Sequence, residues 1–521
     1  MEKELKVNDK QIIKGTLLLT VSVLLVKIFG LIYKVPLSYI LSDEGMGYFN
    51  TAYSVYTFFY VISTAGVPKA ISILTASNEK ERADKISIGA FRSFFAIGLL
   101  LTLIFLLFSA SFASALGSEN SRFSMLAIAP SIAFVSASGA LRGYFNGKLK
   151  LFPLAVSELI TGISKLVFGL IFADLGVKMN LEIYEIAAFS ILGITLGSFL
   201  GFIYLYITMK FETANREKRG NFDILADVRI LKKVLKISIP LTLTAAIGSL
   251  INLLDVGIVM RMLEKDGFSE LQANIIYGNY TTLAVPMFNL VATLLTPVTA
   301  VLLPILAKNS FSGNNIEFES KTRLSVDISL YITVPIAFLF FFYSNSILSF
   351  IFEDSSAKMA SPLLSALSFS VILMGMLLMI NTAIEGVGNY RIPLISLTVG
   401  SIAKLLISWF LISNDNFNIL AAPIGTCVSY LVSLFISYFY INNVRKNKIP
   451  VLKTCFFTFV FSVFSLTSSI LFDKFVNIEN WHLKQILIYG IYAFVYFTLI
   501  LTYVLLGKRS KKIYNCDKNC S

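Results

Sequence analysis

The chain has 521 residues, of which 56% are apolar and 14% are charged, and its mean hydropathy is +0.76. Soluble globular proteins average about 45–50% apolar and about 25% charged residues, so this composition predicts a polytopic membrane protein. It excludes a secreted protein, a nucleic-acid-binding protein and a membrane-tethered enzyme with a separate soluble domain. The formal charge of +13 therefore needs an explanation other than a nucleic-acid partner.

Apolar stretches long enough to cross a bilayer as helices, about 20 residues each, recur along the whole chain. They predict an all-α fold of about fourteen spans at residues 15–41, 47–74, 89–116, 123–145, 151–173, 184–209, 236–262, 275–306, 324–352, 360–386, 392–413, 418–442, 454–472 and 485–507. The first, second and eighth stretches are longer than one crossing needs, so we expect tilting or kinking there. No small-residue cleavage site follows the first stretch, which indicates an uncleaved helix rather than a signal peptide.

The basic residues are distributed unevenly between the connections. The N-terminus, every second connection and the C-terminal tail hold 30 of the 44 lysines and arginines. The alternate connections hold six: Arg122, Lys178, Lys265, Lys358, Lys474 and Lys484. By the positive-inside rule, both termini are predicted to be cytoplasmic in a bacterial cytoplasmic membrane. The net charge is thus mostly a consequence of topology, and the basic face is expected to attract anionic membrane lipids.

Two motifs recur at nearly one interval and predict an internal repeat. An asparagine followed by a proline, and a proline followed by a lysine, reappear 229 to 240 residues further on: Asn50 and Pro68 with Asn279 and Pro297, and Pro153 and Lys165 with Pro393 and Lys404. Each repeat would hold six spans, with residues 1–220 as an N-lobe, 221–445 as a C-lobe and 446–521 as two further spans and a basic cytoplasmic tail. Chance spacing in an apolar sequence is the alternative.

Eight basic residues lie inside the predicted spans: Lys27, Lys34, Lys69, Arg92, Arg142, Lys165, Arg261 and Lys404. Leaving all of them in lipid would cost on the order of 20–28 kcal/mol, so most must face water or a ligand. Lys27 and Lys34 are two helical turns apart and share one face. Mid-span acids are fewer, mainly Glu158 and Asp255. This surplus of cations predicts an anion-binding cavity, with snorkelling to the headgroups as the alternative for Arg92 and Arg142, which lie close to the cytoplasmic ends of their spans.

The cysteines do not predict a metal site. Cys516 and Cys520 form a Cys-x3-Cys pair in the tail, but His482 is the one histidine of the sequence and lies far from them. We therefore expect no metal and no cofactor.

Several segments resemble a branch of the multidrug/oligosaccharidyl-lipid/polysaccharide exporter superfamily, that of stage V sporulation protein B and the polysaccharide flippases. The resemblance rests on Lys27-Ile-Phe-Gly30 with Lys34, the acidic Gly-x-Gly segment from Asp43 to Tyr48, Leu141-Arg142-Gly143-Tyr144-Phe145-Asn146-Gly147 with Pro153 and Glu158, Asp255 through Arg261, and Gly386-x-Gly388 with Pro393 and Lys404. In this chain Asn146 stands where glutamine is usual, and Lys69 has no family role to inherit. Lysines also replace expected arginines, which removes the bidentate fork that suits phosphate.

The resemblance implies two six-helix lobes in a V around a central cationic cavity, with two appended C-terminal helices. It implies a flippase that moves an isoprenoid diphosphate bearing a sugar head, either a peptidoglycan precursor or an exopolysaccharide repeat unit, by alternating access. We expect the diphosphate to contact Lys27, Lys34, Arg142, Lys165, Arg261 and Lys404. Glu158 or Asp255 are candidates for a coupling Na+ or H+. We expect no catalytic residue and a monomer, and whether the role is in growth, sporulation or a surface polymer stays open.

Two other classes compete with this interpretation. A cation-coupled multidrug antiporter of the same superfamily would need uncompensated acidic residues inside its lobes. The spans of this chain instead hold a surplus of basic residues. An integral-membrane glycosyltransferase or polymerase would need a long outer loop with catalytic side chains, and the outer connections near 174–183, 263–274 and 473–484 are too short. A scaffold role would leave the intramembrane cations unexplained.

Overall fold

The computed structural model describes residues 9–76, 80–213, 224–412, 418–445, 452–476, 478 and 480–519. Within these ranges all regular secondary structure is helical. The α-helices are α1 (Asp9–Thr64), α2 (Val67–Ala76), α3 (Lys80–Ala115), α4 (Ser121–Ile128), α5 (Pro130–Gly147), α6 (Leu151–Lys178), α7 (Ile183–Thr213), α8 (Ile224–Lys265), α9 (Glu270–Asn279), α10 (Val285–Phe311), α11 (Asn315–Phe342), α12 (Ser344–Ile351), α13 (Asp354–Gly386), α14 (Arg391–Ile412), α15 (Ala421–Arg445), α16 (Leu452–Phe475) and α17 (Trp481–Asn519).

The number of membrane crossings follows from these helices. Thirteen segments of the described chain are long and apolar enough to span a membrane, and the first of them, Val21–Thr75, covers 55 residues. That segment is broken at Ser42, whose backbone angles (φ 54°, ψ −177°) are not helical. Because a bilayer needs only about 20 residues, the two parts count as separate spans, which gives the predicted fourteen. The predicted all-α, multi-pass membrane fold is confirmed.

The expected kinks occur in two of the three long stretches. The second predicted span is interrupted between α1 and α2, at Ala65 and Gly66. The eighth contains a π-helical segment, Tyr280–Ala284, between α9 and α10. Pro286 follows this segment and has no N–H to donate to a carbonyl of the preceding turn, which favours the departure from α-helical bonding.

The predicted C-terminal end of the ninth span is wrong. The stretch 324–352 was expected to be one helix, but α11 ends at Phe342 and α12 begins separately at Ser344. Tyr343 lies between them with φ −117° and ψ 18°, outside the helical range. Apolar composition continues through the break, so hydropathy alone gives no sign of it.

The described residues group into two compact units by their internal contacts. The first comprises the described residues of Met1–Thr282 together with Ser408–Ile419, and the second comprises those of Leu283–Ile407 and Leu420–Ser521. The lobe boundaries predicted at residues 220 and 446 lie outside the described residues, so the division into an N-lobe, a C-lobe and an appended pair stays a prediction.

In the first unit, α6 packs against α1 and α7 through glycines. On α6, Gly162 faces Val26 of α1, and Gly169 faces the ring of Tyr33. On α7 the residues that face α6 are also glycines, at four-residue spacing: Gly193, Gly197 and Gly201. Small residues at this spacing let the backbones of transmembrane helices approach closely. The spacing thus brings α6 between α1 and α7 at short range.

In the second unit, the corresponding contact between α14 and α15 is made with serines. The Ser433 hydroxyl donates to the backbone carbonyl of Ser396 at 2.9 Å, and the Ser437 hydroxyl donates to the Ser396 hydroxyl oxygen at 3.0 Å. Gly400 on α14 leaves no room for a side chain beside Ser433. Interhelical hydrogen bonds therefore supplement close packing here.

The helix α17 forms hydrogen bonds with α11 near a proline. Pro335 has no N–H, so the carbonyl of Tyr331, four residues earlier, lacks its helical donor. The Tyr496 hydroxyl donates to that carbonyl at 3.2 Å, and the Tyr492 hydroxyl donates to the Pro335 carbonyl at 3.0 Å. Tyr496 thus supplies a donor to the carbonyl that the proline leaves without its helical partner, and Tyr492 adds a second hydrogen bond between the two helices.

Candidate functional site

Two of the predicted cations, Lys34 of α1 and Lys165 of α6, lie close together in the first unit, and we call them the lysine pair. Lys34 Nζ donates to the backbone carbonyl of Thr281 at 3.3 Å. Lys165 Nζ lies 5.4 Å from the ring centroid of Tyr33 and 5.0 Å from that of Tyr53, within the range of cation–π interactions. The two ammonium groups are near enough to repel each other.

Neither member of the lysine pair forms an ion pair with a carboxylate in the part of the chain that the structure describes. Both side chains are half-buried within transmembrane helices. Two like charges in such a place are unfavourable unless water or an anion compensates them. The pair therefore offers two ammonium groups to a ligand of negative charge.

The fold holds the lysine pair in place through backbone contacts. Gly169, one turn beyond Lys165, makes room for the Tyr33 ring that lies beside the ammonium group. A Cβ on Gly197 would lie 3.2 Å from the backbone nitrogen of Lys165, so α7 supports the backbone at that residue. Local packing thus fixes the position of the Lys165 backbone, from which the side chain extends.

The acceptor of Lys34 is anchored separately. Thr281 lies in the π-helical segment, and the neighbouring Thr282 accepts a hydrogen bond from Asn50 Nδ2 at 2.8 Å. Just before the segment, Asn279 Nδ2 donates to Oδ2 of Asp43 at 3.0 Å. The two asparagines that define the sequence repeat therefore both tie α1 to this segment.

Arg142 of α5 is neutralised by an acid. Its Nη1 lies 2.5 Å from Oε1 of Glu158, and the two side chains are 24% and 25% exposed. The Tyr60 hydroxyl lies close enough to interact electrostatically with both. Glu158 precedes Lys165 on α6 by seven residues, about two helical turns, and its ionic partner is Arg142.

Three tyrosines on the part of α1 that follows Ser42 lie between the lysine pair and the Arg142–Glu158 ion pair. Tyr53, Tyr56 and Tyr60, which we call the tyrosine row, have ring centroids 5.8 Å and 5.9 Å apart in succession. Tyr53, beside Lys165, is 36% exposed, whereas Tyr56 is 5% exposed. The row runs from the lysine pair to the Arg142–Glu158 ion pair.

Arg261 has a partner within the protein. Its Nε donates to the carbonyl of Ala115 at 2.8 Å and its Nη2 to the carbonyl of Ser114 at 3.4 Å. These carbonyls lie at the C-terminal end of α3, where a helix lacks further helical N–H donors, although the Ser114 carbonyl also accepts the backbone N–H of Gly117 at 3.1 Å. The guanidinium thus binds the end of α3, an arrangement that depends on a neighbour far away in sequence. The predicted contact of Arg261 with phosphate stays a prediction.

The remaining predicted site residues are distributed between the units. Asp255 of α8 is buried and accepts a hydrogen bond from the Ser408 hydroxyl at 3.4 Å. Lys27 is exposed on α1, two turns before Lys34, and Lys404 is half-buried on α14 in the second unit. The prediction that all six cations contact the diphosphate stays a prediction.

The chain matches the sequence profile of the family described as polysaccharide biosynthesis protein over residues 12–310, more than half of its length. It belongs to this family. Stage V sporulation protein B of Bacillus subtilis is 23% identical over 302 residues, which are 57% of this chain and 58% of that protein. The lipid II flippase MurJ of the same organism is 21% identical over 455 residues, 84% of this chain and 83% of that protein.

Solved structures share the fold. A lipid II flippase MurJ in an inward closed conformation has a TM-score of 0.67 at 20% identity, covering 94% of this chain and all of that one. An inward-facing multidrug resistance MATE transporter of the MOP superfamily has a TM-score of 0.68 at 13% identity, covering 81% of this chain and 94% of that one. The resemblance predicted from the motifs is confirmed, and this member of the polysaccharide biosynthesis family has the fold of MOP transporters.

The sequence arguments missed four residues of this site: Tyr33, Tyr53, Tyr60 and Thr281. The tyrosine row has helical spacing of three and four residues, which places it on one face. That signal was present but does not stand out in a chain with 23 tyrosines.

Cys520 lies outside the described residues, so the expectation that the tail holds no metal site stays a prediction.

Proposed function

We propose that this chain is a flippase that moves an isoprenoid-diphosphate-linked oligosaccharide across the bacterial cytoplasmic membrane by alternating access. The observation that carries the proposal is the lysine pair: Lys34 and Lys165 repel each other and have no carboxylate partner in the described chain. A ligand with two or more adjacent negative charges would relieve that repulsion. A diphosphate has this charge density.

The energetics favour capture by several donors. A hydrogen bond from a charged donor contributes roughly 1.5–3 kcal/mol, and Lys34 uses one donor on Thr281, which leaves its other N–H groups for a ligand. The cation–π contacts of Lys165 with Tyr33 and Tyr53 leave its N–H groups available as well. We propose Lys27, Lys404 and further cations as additional contacts along the route.

The relatives support the substrate class. Lipid II flippase is the name of one curated relative and of one structural neighbour, and a capsular polysaccharide biosynthesis protein, CapF of Staphylococcus aureus, is 29% identical over 220 residues. These names suggest either a peptidoglycan precursor or a polysaccharide repeat unit as the cargo. The lysine pair fits both, because both carry the same diphosphate.

The proposed transport requires no covalent step. With both termini in the cytoplasm and an interior-negative potential, moving two negative charges outward is favoured by about 4.6 kcal/mol per 100 mV. A coupling Na+ or H+ would bind at Asp255 or Glu158. Glu158 is paired with Arg142, and Asp255 accepts a hydrogen bond from the Ser408 hydroxyl.

The multidrug antiporter is the second candidate, favoured by the structural likeness to a MATE transporter. Organic cations would need an uncompensated acid. The described acid nearest to the lysine pair along α6, Glu158, is neutralised by Arg142, whereas the lysines themselves are uncompensated. The sign of the site therefore favours an anionic cargo.

A transport assay separates the two functions. The purified chain is reconstituted in vesicles with a fluorescent isoprenoid diphosphate bearing a disaccharide, and separately with ethidium as an organic cation. We expect movement of the lipid to the opposite leaflet, and loss of that movement in Lys165→Ala but not in Lys178→Ala, a matched exposed lysine paired with Asp174. Transport of ethidium but not of the lipid would contradict the proposal.

A further inference from the structure

The Arg142–Glu158 ion pair and the tyrosine row are not explained by diphosphate binding. An arginine whose charge is already compensated at 2.5 Å by a carboxylate is a poor ligand for a diphosphate. Yet both side chains keep about a quarter of their surface exposed. The pair thus presents donors and acceptors together with almost no net charge.

Tyr53 presents a different kind of surface. The residue is 36% exposed, although its neighbours Phe49 and Tyr56 are 2% and 5% exposed. It is an aromatic ring left open beside an ammonium group, 5.0 Å from Lys165. An open aromatic face next to charged groups suits a flat ligand that is apolar on its face and polar at its rim.

These two surfaces match the chemistry of a sugar. A pyranose has C–H groups on its face, which stack on aromatic rings, and hydroxyl groups at its rim, each of which donates and accepts a hydrogen bond. The guanidinium of Arg142 supplies donors and the carboxylate of Glu158 supplies acceptors, and Tyr60 adds a hydroxyl beside both. A neutral sugar also matches a neutral ion pair better than a phosphate does.

The positions follow the order of groups in the cargo. Tyr53 and Tyr60 are seven residues apart on α1, about 10 Å along the helix. The lysine pair lies at the Tyr53 end, and the ion pair lies at the Tyr60 end. A diphosphate held by the lysines would therefore place the attached sugar along the tyrosine row.

We propose that Tyr53, Tyr60, Arg142 and Glu158 form the subsite for the sugar attached to the diphosphate, and that this subsite lets the protein distinguish a sugar-bearing lipid from a bare isoprenoid diphosphate. This inference rests on the proposed function, because it takes the diphosphate at the lysine pair as its starting point. It assigns Arg142 and Glu158 to recognition of the head group instead of the phosphates.

Two probes test the subsite: undecaprenyl diphosphate, and undecaprenyl diphosphate bearing a disaccharide. Binding of each to the purified full-length chain is measured by native mass spectrometry for the wild type, Tyr53→Leu, Glu158→Gln and Lys34→Ala. Tyr390→Leu is the control, since Tyr390 is an exposed tyrosine of the second unit. Thermal stability of each variant is recorded to identify a folding defect.

We expect Tyr53→Leu and Glu158→Gln to weaken binding of the sugar-bearing lipid on the order of tenfold, the size of one stacking or charged hydrogen-bond contact. Tyr53→Leu should weaken binding of the bare diphosphate much less than binding of the sugar-bearing lipid, because the lysines still hold the phosphates. Glu158→Gln leaves the Arg142 charge uncompensated, so its binding of the bare diphosphate should not fall, and Lys34→Ala should weaken both lipids. Equal weakening of both lipids by Tyr53→Leu and Glu158→Gln, or no effect on either, would overturn the subsite. If the wild type bound neither lipid, or Lys34→Ala had no effect, the proposed function itself would fail.

Discussion

The lysine pair and Arg261 are cations of the same unit that the sequence places in the same class, yet they have different surroundings. Arg261 donates two hydrogen bonds to the last carbonyls of α3, so its charge serves a helix end. Lys34 contacts one backbone carbonyl, and Lys165 contacts two aromatic rings. Neither lysine has a carboxylate partner among the described residues. The comparison teaches that a cation inside a span indicates a ligand only where the protein itself leaves the charge uncompensated.

The largest expected effect is the loss of transport when one lysine of the pair is removed. Lys34→Ala and Lys165→Ala should each weaken capture of the lipid diphosphate by about 10- to 150-fold, because each removes a charge-assisted bond. Complementation of a strain depleted of its lipid-linked precursor flippase measures this, with membrane abundance followed in parallel. Full complementation by both variants at native expression would remove the basis for the comparison.

A second change displaces Lys165 without altering its charge. Gly197→Ala would bring a Cβ to 2.8 Å from the Thr161 carbonyl and 3.2 Å from the Lys165 nitrogen. Such overpacking costs about 1–3 kcal/mol, so we expect a lower melting temperature together with reduced transport. Gly248→Ala is the control, since nothing lies within 4 Å of its Cβ position. Equal melting temperatures for the two variants would mean that α6 and α7 are not held by close contact at Gly197.

Arg261→Ala should act on stability more than on binding. Loss of the two hydrogen bonds to Ala115 and Ser114 should lower the free energy of unfolding by about 1–2 kcal/mol, the lower part of the range for a charged donor because the side chain is exposed. Thermal unfolding measures this, with the exposed Arg122→Ala as the control. If Arg261→Ala kept its stability and lost lipid binding, Arg261 would belong with the lysine pair.

The smallest effect is expected where charge is kept. Lys34→Arg should retain near wild-type transport, because the sign of the charge matters more than donor geometry at a site that faces a ligand. Arg261→Lys should be intermediate in stability between wild type and Arg261→Ala, since one ammonium cannot reproduce a fork that reaches two carbonyls. Melting temperatures and transport of the two swaps check this. Loss of transport in Lys34→Arg equal to that in Lys34→Ala would indicate a packing role.

Much of the fold could be predicted because the bilayer imposes one strong constraint. Every span must be about 20 apolar residues long and satisfy its own backbone, so hydropathy predicted fourteen spans. The break at Ser42 lies in the predicted connection between the first two spans, which end and begin at residues 41 and 47. Hydropathy could not predict the end of α11 at Phe342, because apolar residues continue through it, so that end depends on tertiary packing.

The candidate site was partly predictable for a related reason. The cost of a charge in lipid singled out Lys34 and Lys165 as ligand-facing, and the structure places them together. The same rule could not separate them from Arg261, whose partners are about 146 residues away in sequence. Nor did it identify Tyr53, because an aromatic residue in a span carries no comparable penalty.

The most direct test of the central claim is the identity of the lipid that co-purifies with the protein. Wild type, Lys34→Ala, Lys165→Ala and Arg261→Ala are purified from one bacterial host under the same conditions, and bound lipids are quantified by mass spectrometry per folded protein. We expect an isoprenoid-diphosphate-linked sugar on wild type and on Arg261→Ala, reduced at least about tenfold on both lysine variants. The same amount of this lipid on all four proteins, or none on the wild type, would contradict the account.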